Sequence, residues 1–110
     1  MIWGCRLSTC NDVNDNQIHT LLLVVDCRIP LVHSLKQKRS VIKRLIEKLR
    51  AKLNASISET GCLDEWQRGI ISIAMVSNSS RYLQQQLARV EQQLLEVHEI
   101  SVIKIEQHWI

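Results

Sequence analysis

Between Ile18 and Trp109 the apolar residues change their spacing, from every second position to every third or fourth and back again, and the order of those changes limits the folds open to the chain. From Ile18 to Ile29, Leu21, Leu23, Val25, Cys27 and Ile29 alternate with Leu22, Val24, Asp26 and Arg28, which predicts a strand covered mostly on one side. Pro30 ends that ladder because it has no N–H to donate. Ser34 then opens a helix, with Gln37 completing the S-x-x-Q pattern of a capping box. Val41, Ile42, Leu45, Ile46, Leu49 and Leu53 fall within about 140° of arc, a stripe wide enough to pack on a sheet, and the helix is predicted to run to about Lys52.

The period of two returns in LNASISE (53–59), read as an edge strand, and Gly61 to Gln67 makes a turn. Gly69 to Ser77 is apolar on nearly both faces and reads as an interior strand. Asn78, Ser79 and Ser80 offer caps for a second helix with Leu83, Leu87, Val90, Leu94 and Val97 on one stripe. Gln84, Gln85, Gln86, Gln92 and Gln93 are assigned to its solvated side. A last strand alternates Ile103, Ile105 and Trp109 with Val102, Lys104, Glu106 and His108. The order β-α-β-β-α-β predicts an α+β, ferredoxin-like sandwich: a four-stranded antiparallel sheet with both helices on one face. Residues 18–110 form its single domain, and residues 1–17, which show no period and are rich in Asn and Asp, are expected to be a poorly ordered leader.

Several classes of function are disfavoured at this point. The longest unbroken aliphatic run, Leu21 to Val25, stops at Asp26, so no segment reaches the roughly 20 apolar residues of a membrane span. The first residues lack the basic and apolar regions of a secretory signal, and a cytoplasmic location is expected. Cys5, Cys10, Cys27 and Cys62 form no CxxC pair, so neither a metal nor another cofactor is predicted. Cys27, inside an apolar run, reads as a small buried hydrophobe. The chain has no Phe, and its three Trp and one Tyr fall outside the two central strands, so base stacking on the sheet is not expected. Trp66, within DEWQR, reads as a staple between turn and core.

Charge is distributed unevenly. Residues 36–52 hold eight of the fourteen Lys and Arg and one acid, Glu47, a local charge of +7 against +3 for the whole chain, so the remainder carries −4. Lys36, Lys38 and Arg39 sit in the first turns of the helix, where the dipole already presents positive charge and cations are disfavoured. Local conflicts of this kind tend to accompany function. Backbone N–H groups there, with His33, Ser34, Lys36, Lys38, Arg39, Lys43 and Arg44, make a candidate phosphate site. Lys43 and Arg50 continue one border of the helix with Arg39, and Arg44, Lys48 and Lys52 line the other. The same long side chains also serve simply to flank an apolar stripe, and capping alone accounts for Ser34. Asp26, Arg28, Lys104, Glu106 and His108 share the open sheet face as solvating charge pairs, and no set of residues supplies a nucleophile, base and stabiliser, so no enzyme is predicted.

The strings HSLKQKR (33–39), LNASISE (53–59), DEWQR (64–68) and VSN (76–78) together resemble the YlxP-like family, small bacterial proteins of unknown function. The resemblance spans about residues 19–110 and implies a ferredoxin-like fold with no assigned catalytic residues. Leu53 stands where Phe is usual, Ser58 and Gly69 stand where Ala is usual, and the leader is additional. Members are commonly encoded beside translation-initiation and ribosome-maturation genes, which implies RNA or a ribosomal particle as partner. A homodimer, joined through Leu22 and Val24 on the open face and the apolar tail at Trp109 and Ile110, is the alternative.

Overall fold

A computed structural model describes residues 17–110; the leader expected at 1–17 therefore lies, but for Gln17, outside the described residues. The elements follow in the order β1 (His19–Arg28), α1 (Leu35–Lys52), β2 (Ser56–Gly61), β3 (Arg68–Ser77), α2 (Ser80–Leu95) and β4 (Ser101–Trp109). The sheet runs β2-β3-β1-β4, and each neighbouring pair is antiparallel. This is the α+β, ferredoxin-like β-α-β-β-α-β sandwich that the changes of period dictate. No helix among the described residues is long and apolar enough to cross a membrane.

Strand register explains the core. Leu21, Leu23, Val25 and Cys27 of β1 lie opposite Met75, Ile73, Ile71 and Gly69 of β3, and these odd-numbered positions are all buried. Val41, Ile42, Leu45 and Leu49 of α1, with Leu83, Val90 and Leu94 of α2, close over that face. Gly69 permits the closest approach: a Cβ there would stand 3.2 Å from Cδ1 of Ile42. Cys27 is fully buried, its thiol 3.4 Å from the Gly69 carbonyl.

Local details depart from the sequence reading at three places. Leu53 is not in a strand; it caps α1, its N–H donating to the Leu49 carbonyl, and β2 begins at Ser56 and continues through Gly61. In β4 the register with β1 shifts after Asp26, which pairs with Lys104 while Cys27 pairs with Val102. Ile103 is the extra residue, and it is turned out to solvent, while Val102 and Ile105 pack on the core. Gln86 is buried and Gln93 half-buried, because both border the apolar stripe of α2 within about a quarter-turn.

Candidate functional site

Helix α1 begins as its capping residues require. Ser34 accepts a hydrogen bond from the Gln37 N–H at 3.1 Å, and the Gln37 side-chain oxygen accepts from the His33 N–H at 2.7 Å. The reciprocal contact thus closes on the residue before the cap. The Ser34 oxygen is used here as an acceptor, while His33 enters the turn only through its backbone N–H and its side chain is exposed. No acidic residue occupies the first turn to offset the dipole.

The structure separates the cations grouped by sequence into three sets. Lys38 is not on the surface. On a helical wheel it falls near the centre of the apolar stripe, about 200° from Lys36, and its side chain is 0% exposed. Its Nζ lies 2.7 Å from Glu59 Oε2 and donates to the Cys62 carbonyl at 2.7 Å. The Glu59 carboxylate thus neutralises the ammonium while the Cys62 carbonyl accepts its hydrogen bond. A neutralised, enclosed ammonium cannot reach a phosphate, so Lys38 leaves the phosphate-binding set.

A second set is spent on the loop between α2 and β4. Arg44 meets Glu99 at 2.8 Å and Lys48 meets Glu96 at 3.4 Å. Arg44 therefore braces α1 against that loop and offers an incoming anion a charge already paired.

The third set is exposed. Lys36, Arg39, Lys43 and Arg50 lie within about 60° of arc on the border of α1 nearest β2. Among the described residues none of the four takes part in an ion pair. Arg39, Lys43 and Arg50 line an open groove with Ile46, Glu47 and Ser58, where α1 faces the edge strand β2. Arg50 donates to the Ile57 carbonyl at 2.9 Å and so covers part of the strand's unpaired edge.

The opposite face of the sheet has no helix over it. Strand register groups Leu22 with Ala74 and His108, Val24 with Ser72 and Glu106, and Asp26 with Ile70 and Lys104. Arg68 grips both Asp26 oxygens at 3.2 and 3.0 Å, and this guanidinium is the main reason the Asp26 carboxyl lies below its ordinary range. Glu106 takes Lys104 at 2.7 Å and His108 at 3.4 Å, and Lys104 is the first cause of its lowered pKa. The acids are thus satisfied by cations, as on a solvated sheet face. Among the described residues no three His, Cys, Asp or Glu side chains converge as a metal site requires.

The loop between β2 and β3 departs from its sequence expectation. Trp66 does not staple the core: it is 51% exposed. Its neighbours are nevertheless anchored, since Gln67 donates to the carbonyls of Pro30 and Val32 at 3.2 Å each and accepts from the Ile29 N–H through its own carbonyl.

A family described as "Protein of unknown function (DUF503)" matches residues 20–107. The uncharacterized protein YlxP of Bacillus subtilis (strain 168) is 45% identical over 65 residues, which cover 59% of this chain and 71% of that protein. The resemblance drawn from the four sequence strings is therefore borne out. Among solved structures, the de novo designed protein Foldit4 superposes with a TM-score of 0.51 at 10% identity, over 84% of this chain and 96% of its own, a likeness of fold alone. SnoaB, a cofactor-independent oxygenase from Streptomyces nogalater, reaches a TM-score of 0.43 at 9% identity, over 83% of this chain and 90% of its own.

Proposed function

The chain belongs to the DUF503 family of proteins of unknown function, and within it we propose a non-enzymatic RNA-binding role, with a structured or ribosomal RNA backbone held along α1. The observation that supports this is the stripe of Lys36, Arg39 and Lys43: neighbouring, exposed, and in no ion pair among the described residues. Phosphate contacts of this kind position a nucleic acid without reading its sequence. Burial of Lys38 and pairing of Arg44 narrow the phosphate set to one border of the helix.

The test is the salt dependence of binding to a structured RNA. Three phosphate contacts lower the affinity about 20- to 40-fold between about 50 and 200 mM salt. Replacing Lys36, Arg39 and Lys43 together by Ala abolishes that slope. Absence of binding at the lower salt, or unchanged binding by the triple variant, refutes the role.

The open sheet face favours a second reading, a homodimer. Leu22, Val24, Ile70, Ala74 and Val76 share it, and Val76 is 65% exposed. Light scattering across a concentration series decides: a Val24→Glu variant stays monomeric where the wild type pairs, and a wild type that stays monomeric at high concentration ends this reading.

A further inference from the structure

The cleft under the β2–β3 loop is lined by Arg28, Glu65, Trp66, Gln67 and Arg68 and has a volume of about 490 Å³. Two of its walls are braced from outside. Arg68 is fixed by both oxygens of Asp26, and Gln67 by the carbonyls of Pro30 and Val32. The loop's first residue, Cys62, is tied to α1 through the Lys38 ammonium and accepts from the Glu65 N–H at 3.1 Å. Between these anchors, Trp66 stands half out of the protein, and Arg28 is exposed with no ion-pair partner among the described residues. Holding an indole in water on an anchored loop gains nothing for the core, and it offers a flat π-face in a cleft that the Arg28 guanidinium also lines.

We propose that Trp66 and Arg28 form a site for one nucleotide of a single-stranded RNA, the base stacked on the indole and its phosphate on the guanidinium. This rests on the RNA-binding reading above and adds to it the class of RNA recognised. An aromatic face takes any base, and a cation beside it takes the backbone, which is how single strands are held without a sequence code. A duplex offers no free base face, so the cleft distinguishes unpaired from paired RNA. Glu65, on the same wall, repels phosphate but accepts from an exocyclic base amino group, so adenine and cytosine suit the cleft better than uracil. The platform lies in the loop at the end of the sheet, away from the central strands that lack aromatics.

The experiment uses the full chain with Trp3→Phe and Trp109→Phe, which leaves Trp66 as the sole tryptophan. It is titrated with a single-stranded oligoadenylate of about eight nucleotides and with an RNA duplex of the same length. The single strand quenches Trp66 emission and binds more tightly than the duplex. In the otherwise wild-type chain Trp66→Ala weakens single-strand binding by about 5- to 150-fold while duplex affinity and the salt slope are unchanged, and Trp66→Phe retains most of the affinity. If anisotropy shows the single strand bound while Trp66 emission is unchanged and Trp66→Ala binds equally well, the nucleotide site is wrong and the phosphate stripe on α1 stands. If neither RNA binds the wild type at low salt, both fall.

Discussion

The ammonium of Lys38 and the carboxylate of Glu59 meet at 2.7 Å, joining the second turn of α1 to the edge strand β2 with the lysine side chain wholly enclosed. A pair this sheltered is weak evidence of net stabilisation, because desolvation cancels much of the attraction. Breaking it from one side is another matter. Lys38→Ala leaves a carboxylate without its counter-ion and the Cys62 carbonyl with the Glu65 N–H alone, besides an emptied channel for the lysine stem. Chemical denaturation is expected to show a loss of about 3–5 kcal/mol. Lys38→Met with Glu59→Gln, which removes both charges and keeps the volume, recovers most of that loss. Since Lys38 lies outside the phosphate stripe, the double variant keeps the wild-type salt slope for RNA.

The burial of Lys38 is legible in the order of the amino acids. Spaced three and seven residues before Val41 and Leu45, and at the same angle as the apolar stripe, it is a core position occupied by a charge. Grouping it with Lys36 and Arg39 by sequence adjacency obscures that, because adjacent helical residues point about 100° apart. What composition could not reveal is its partner: Glu59 is on β2, and only the hairpin's placement beside α1 brings it into reach. The fold is more legible than the site because periodicity is a local property of the chain, whereas the pairing of Arg44 with Glu99 spans 55 residues. The bulge at Ile103 is hidden for a related reason. An extra residue in β4 is defined only against the register of β1, which no single strand records.

Cys62 holds a left-handed backbone, φ 57°, directly after β2, at a position that glycine and asparagine tolerate better. Such a conformation costs an ordinary L-residue about 1–2 kcal/mol. The Lys38 ammonium on its carbonyl and the turn bond from Glu65 keep it there. Cys62→Gly is therefore expected to stabilise the fold by up to about 1 kcal/mol, once the added freedom of the unfolded chain is subtracted, and Cys62→Val to destabilise it. Thermal melts of the two variants, compared with Cys62→Ala, give the order.

The Asp26 carboxyl sits below its ordinary range chiefly because Arg68 holds both its oxygens, against the opposing effect of burial. A carboxyl lowered in the folded state contributes stability that is complete above its unfolded pKa, about 3.9, and is lost as pH falls through the lower folded value. Glu106, lowered by Lys104 and then His108, acts in the same direction. The melting temperature is therefore expected to fall on acidification below about pH 4. Asp26→Asn melts a few degrees below wild type at pH 7, and the gap narrows as the wild-type carboxyl is protonated. A gap that stays constant between neutral and acid pH shows that the Arg68 contact is not what lowers Asp26.

Among the described residues Cys27 and Cys62 are both unpaired thiols, but their surroundings predict opposite accessibility. Cys27 is enclosed by the core, and burial first, then the nearby carboxylates of Asp26 and Glu59, push its thiol up to about 11. The thiolate is the reactive form, so at pH 8 about one Cys27 in a thousand is ionised, against roughly a quarter of unperturbed thiols. Cys62 is only half-buried, and although its hydrogen bond with Glu65 raises its pKa too, a reagent can reach it. Peptide-resolved mass spectrometry after iodoacetamide treatment of the native protein is expected to find Cys62 alkylated and Cys27 intact. Cys27 becomes reactive only as denaturant unfolds the chain, with the same midpoint as the loss of circular dichroism, because β1 and β3 must separate from the helices to admit the reagent. Alkylation of Cys27 well below that midpoint would mean that the Gly69 end of the sheet opens independently of the rest of the core.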